Sequence, residues 1–114
     1  MSVPAQFEID VRQSPNRAVI ALIGELDIAR APMLSRIVDG SALADVKYVV
    51  LDLERLEFMD SSGLRVVIVL REQCRERGQH FSITNATRQV QHLLDVIGLS
   101  ESPAGAAVPA EDSA

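Results

Sequence analysis

The chain has no tryptophan, one tyrosine and three phenylalanines, so its core must be assembled from Val, Ile, Leu and Ala. Its single cysteine, Cys74, cannot close an internal disulfide, which fits a reducing compartment and excludes a disulfide-stapled scaffold. No run approaches the ~18–20 consecutive apolar residues of a membrane span, so no direct membrane insertion is expected. Met1 to Gln6 carry neither the basic nor the apolar region of a signal peptide, which points to a cytoplasmic protein. Only two histidines occur, His80 and His92, and no Cys/His cluster suits a metal; no cofactor is expected. A basic excess is lacking too: 11 basic residues stand against 16 acidic ones, a net charge of −5. Glu101, Glu111 and Asp112 near the C-terminus account for three of those charges, which leaves the body at −2. That balance disfavours a nucleic-acid partner.

What is present suits one compact domain. The length of 114 residues leaves no room for two, and 47% hydrophobic with 24% charged residues is ordinary for a globular chain. Phe7, Ile9 and Val11 alternate with Glu8, Asp10 and Arg12 as a half-exposed strand. After the turn cluster Ser14-Pro15-Asn16, Ala18 to Ile23 reads as a second strand buried on both faces, forming a hairpin with the first. Gly24-Glu25-Leu26-Asp27 reads as a tight exit from that strand. Pro32 suits a first helical turn, and Leu34, Ile37 and Val38 behind it mark one buried helical face.

Tyr48 to Leu53 is the strongest strand signal. Leu64 to Leu70 holds six apolar residues in seven, interrupted by Arg65 alone. Good helix formers continue it to Arg77, and Gly78 closes it, so it reads as a helix. Phe81 and Ile83 alternate with Ser82 and Thr84 as a short strand. Val90, Leu93, Leu94 and Ile97 form a helical stripe stopped by Gly98. Residues 100–114 are rich in Ser, Glu, Pro, Gly and Ala and read as a disordered tail beyond a domain of residues 1–99. The order β-β-α-β-α-β-α describes an α/β fold with a mixed sheet of four to five strands. Its opening hairpin is antiparallel, its later strands are parallel, and helices pack against it.

The segment with chemistry in it is Met59-Asp60-Ser61-Ser62-Gly63-Leu64, between strand and helix. It sets a hydroxyl beside the first backbone N–H groups of a helix, where a phosphate would be well tolerated. Phosphorylating Ser61 would add about two negative charges to the surface. Taken alone, the same residues read first as plain capping chemistry, with Asp60, Ser61 or Ser62 accepting a backbone N–H bond. The long apolar run behind them is either covered by neighbouring elements or is part of a partner surface.

Four elements occur in the order and spacing of STAS domains. They are Gly24-Glu25-Leu26-Asp27, Val49-Val50-Leu51-Asp52-Leu53, Phe58 to Leu64, and Leu93-Leu94-Asp95-Val96-Ile97-Gly98-Leu99. Over roughly residues 6–99 the chain resembles the bacterial anti-sigma factor antagonists of that family. The resemblance implies a regulatory binding protein rather than an enzyme. By position, Ser61 would be phosphorylated by an anti-sigma factor that is a GHKL-type serine kinase. The unphosphorylated antagonist binds that kinase, which then releases its sigma factor; a PP2C-type phosphatase reverses the modification. The same resemblance places Asp27 and Asp60 near the serine and the kinase surface, and the partner-binding set is then Asp27, Asp60, Ser61, Ser62, Gly63, Leu64 and Arg65. Arg65 departs from close relatives, which often carry a small residue there. One turn beyond Ser61 it is within reach of a phosphate, and it reads equally as a solvated side chain.

Two other functions compete. A STAS domain can also be a fixed module of a stress scaffold or lipid-transport complex, with Ser61 as a cap and Val66, Val69 and Leu70 as a permanent interface. An esterase-like enzyme with Ser61 or Ser62 as nucleophile needs a nearby base, and neither a Gly-x-Ser-x-Gly elbow nor a suitable histidine accompanies them.

Overall fold

The computed structural model describes residues 7–99; the expectation for residues 100–114 falls outside them. Five strands and three helices follow one another along the chain. Strand β1 (Phe7–Gln13) and strand β2 (Arg17–Leu26) form the antiparallel hairpin, with Ile9 opposite Leu22 and Val11 opposite Ile20. Helix α1 (Ala31–Asp39) leads to strand β3 (Tyr48–Asp52) and strand β4 (Leu56–Met59). Helix α2 (Ser61–Glu76), strand β5 (His80–Thr84) and helix α3 (Arg88–Val96) complete it. The sheet runs β1-β2-β3-β5, with β2–β3 and β3–β5 parallel and β4 pairing with the far half of β2.

Register assigns the faces. Ala18, Ile20 and Leu22 of β2 align with Val49 and Leu51 of β3 and with Phe81 and Ile83 of β5 on one side. These side chains join Leu34 and Val38 of α1, Val67, Leu70 and Cys74 of α2, and Val90 and Leu94 of α3 in one core. The β2 residues between them, Val19, Ala21 and Ile23, are only half-buried on the opposite face. Strand β2 is thus alternately buried, where a strand buried on both faces is expected from its unbroken apolar run.

Strand β4 adds an element to the order read from sequence. Two residues of β4 span one of β2 between Gly24 and Glu25, a β-bulge, and Gly24 takes φ +100° there. The bulge breaks the inside–outside alternation: Leu56 and Met59 are buried while Glu57 and Phe58 are both exposed. It also extends β2 to Leu26, past the expected exit at Gly24. The Asp60 N–H then donates to the Leu26 carbonyl (3.1 Å), which brings the start of α2 against the loop that leads into α1.

Gly78 ends α2 with φ +72°, and the Gln79 N–H reaches back to the Cys74 carbonyl at 2.8 Å. Thr87 caps α3, its hydroxyl accepting from the Val90 N–H.

Candidate functional site

The site is built from the outward-facing end of β4, the first turn of α2 and the β2–α1 loop. Asp60 is the N-cap of α2, in an extended conformation. Its Oδ1 accepts from the N–H groups of Ser62 (2.9 Å) and Gly63 (3.1 Å). Its Oδ2 accepts from the Ile28 N–H across the loop at 3.2 Å. One carboxylate therefore ties the helix start to a segment 32 residues away. Asp60, not either serine, is the cap, and Ser61 is left exposed at the first helical position.

Asp27 shapes the neighbouring loop. Its Oδ1 accepts from the N–H groups of Ala29 and Arg30, both at 3.1 Å, and its Oδ2 pairs with the Arg30 guanidinium at 2.8 Å. Its carbonyl accepts the Ala31 N–H, which starts α1. The two acidic residues thus hold adjoining backbone turns, one at the entrance to each helix.

Gly63 explains how closely α2 approaches the sheet. A Cβ at that position would lie 2.6 Å from Leu26 Cγ and 2.9 Å from Met59 Cγ, both in buried side chains. Leu64 is buried as well. Of the seven residues marked by sequence, Ser61 and Arg65 are exposed, Asp27, Asp60 and Ser62 are half-buried, and Gly63 and Leu64 lie beneath the surface. The last two position the face without forming it.

Two of the N–H groups expected to receive a phosphate are not free. Those of Ser62 and Gly63 already bond the Asp60 carboxylate, so an anion added to Ser61 meets a negative charge there. The apolar run of α2 is also resolved. Val66 (7% exposed), Val67 and Leu70 (1%) are buried, and Val69 (41%) is the exposed one. A permanent interface made of Val66, Val69 and Leu70 is therefore not available, since two of the three belong to the core.

Sequence reasoning passed over Ile28, which is 74% exposed between Asp27 and Arg30 and sits on the loop bonded to Asp60. An apolar residue inside a polar turn was the available signal. It also passed over Arg36 of α1. Together with Ser61, Ser62, Arg65 and Ile28, Arg36 lines a cleft of about 540 Å³ between α1 and α2. No linear pattern joins residues 36 and 61. Away from this region, burial pushes the Cys74 thiol up to about 11, with Arg77 pulling the other way. Among the described residues no group of His, Cys, Asp and Glu is arranged to hold a metal.

Residues 8–113 match the family model of the STAS domain. The chain belongs to the STAS domain family. It is 29% identical over 94 residues to the anti-sigma F factor antagonist of Paenibacillus polymyxa, covering 82% of this chain and 80% of that one. The structure of the anti-sigma factor antagonist SpoIIAA in its unphosphorylated form is similar, with a TM-score of 0.69 at 22% identity over 87% of this STAS chain and 89% of that one. The Bacillus SpoIIAA structure in the phosphorylated form has a TM-score of 0.68 at 20% identity, covering 87% and 93%. At those identities the structural likeness speaks for the fold. No described helix of this STAS domain is long and apolar enough to cross a membrane.

Proposed function

We propose that this STAS protein is an anti-sigma factor antagonist switched at Ser61. Unphosphorylated, it binds an anti-sigma factor that is a GHKL-type serine kinase, and the sigma factor is freed for transcription. Phosphorylation ends the binding, and a PP2C-type phosphatase restores it. The observation that carries this reading is an exposed hydroxyl at the first position of a helix whose cap and backing are already satisfied. Similarity to the Paenibacillus antagonist supports the same role.

The chemistry asks little of this chain. Ser61 Oγ attacks the γ-phosphorus of ATP held by the kinase, the bond to ADP breaks, and the hydroxyl proton leaves to a base on the kinase side. The Asp60 carboxylate spends its oxygens on three backbone N–H groups, so it is a positioning residue that presents the serine. The docking face comprises Ser61, Arg65 and the exposed Ile28, with Asp60 and Ser62 at its edge. A phosphate there brings charge that must be desolvated against the partner, at a cost of several kcal/mol, enough to change affinity by orders of magnitude.

Incubation with a cognate kinase and ATP is expected to add one phosphate to the wild-type mass and none to Ser61→Ala. Ser61→Ala is expected to keep kinase binding while Ser61→Glu weakens it. Phosphate found on another residue, with Ser61→Ala still modified, would overturn the assignment.

A further inference from the structure

We propose that a phosphate on Ser61 turns away from the helix end into the α1–α2 cleft, where Arg65 and Arg36 hold it between them. This inference rests on Ser61 being the modified residue and adds what happens to the phosphate afterwards. The ordinary resting place for an anion at this position is the ring of N–H groups at the helix start. Asp60 occupies much of it here, taking the Ser62 and Gly63 N–H groups with one oxygen and the Ile28 N–H with the other. A second anion in that place would face the negative charge of that carboxylate.

The cleft offers what the helix end does not. Ser61 and Arg65 stand one helical turn apart on the same face of α2, and both line it. Arg36, in the last turn of α1, lines it from the opposite wall. Both arginines are exposed, and neither has an ion-pair partner among the described residues. Asp39 is the acidic residue of the lining, three residues beyond Arg36. Two guanidinium groups against that carboxylate leave the lining cationic, and a planar guanidinium fork is well matched to phosphate oxygens. A phosphate bridging them fastens α1 to α2. It also withdraws Arg65 from the face that the unmodified protein shows its partner, so loss of docking follows from lost positive charge as well as from added negative charge.

The test uses the full chain with phosphoserine installed at position 61 during synthesis, so that no kinase is involved. ³¹P NMR follows the second ionisation of the phosphate in the parent, in Arg65→Gln, in Arg36→Gln and in the double variant. The parent is expected to titrate about half a unit or more below the double variant, with each single variant between them, because nearby cations favour the dianion. The melting temperature gained on phosphorylation is expected to shrink in the double variant. Both arginines are exposed, and unfolding curves of the unphosphorylated variants check that the fold survives. Equal titration midpoints in the parent and the double variant would overturn the capture. A kinase that leaves Ser61 unmodified would instead sink the switch, while the ionisation of the installed phosphate would still report on the cleft.

Discussion

At Asp60 one carboxylate holds three backbone N–H groups from two segments, so the residue beside the candidate phosphoacceptor is also a fastening. Asp60→Ala removes the cap of α2 and the tie to Ile28, and is expected to cost about 1–2 kcal/mol of stability in urea unfolding. Asp60→Asn keeps one acceptor oxygen and should lose less. Gly63→Ala forces a methyl group into buried Leu26 and Met59 and is expected to destabilise by about 1–3 kcal/mol, with Ser61 still exposed. Cys74 sets a pH dependence at the alkaline end. Its thiol is raised from 9.0 to about 11 by burial, so the unfolded chain loses the proton first. The stability linked to that thiol is full below pH 9.0 and falls as pH rises towards about 11. Unfolding curves across that window should slope downward more steeply for the wild type than for Cys74→Ala. Residues with a private chemistry, such as Ser61 and Asp60, were visible in sequence because neighbouring positions define a helix start. Arg36 was not, because only the fold brings it to Ser61, and Ile28 offered no more than an apolar side chain in a polar turn.

At the scale of elements, Gly78 tests how far local geometry decides where α2 stops. Its φ of +72° is strained for other residues, and a Cβ there would meet nothing within 4 Å. Gly78→Ala should therefore cost about 1 kcal/mol through backbone strain alone, and Gly78→Asn less, as thermal unfolding would show. The helices were legible because their periodic stripes and caps lie in one stretch: Leu34, Ile37 and Val38 for α1, and Val90, Leu93 and Leu94 for α3 are at least half-buried. Strand β4 was not. A four-residue strand with a bulge exposes Glu57 and Phe58 consecutively, and that pattern resembles a loop. The misjudged faces of β2 have a similar origin, since Val19, Ala21 and Ile23 are apolar yet only half-covered.

At the scale of the whole molecule, the sheet and its three helices share one core that backs one small face. The bulge at Gly24 carries β2 on to Leu26, β4 aligns with it, and Asp60 fastens the junction from which Ser61 projects. A phosphate added at that point would change the charge of a surface, while Leu26, Met59 and Leu64 lie buried beneath it. The antagonist role inferred for this STAS chain depends on that separation between fold and face. Its most direct test is calorimetric titration of a cognate anti-sigma factor kinase with the unmodified protein and with the same chain carrying phosphoserine at 61. The account predicts affinity weaker by about 100-fold or more for the phosphorylated chain, equivalent to about 2.8 kcal/mol at 1.4 kcal/mol per tenfold. Equal affinity for the two forms would contradict it.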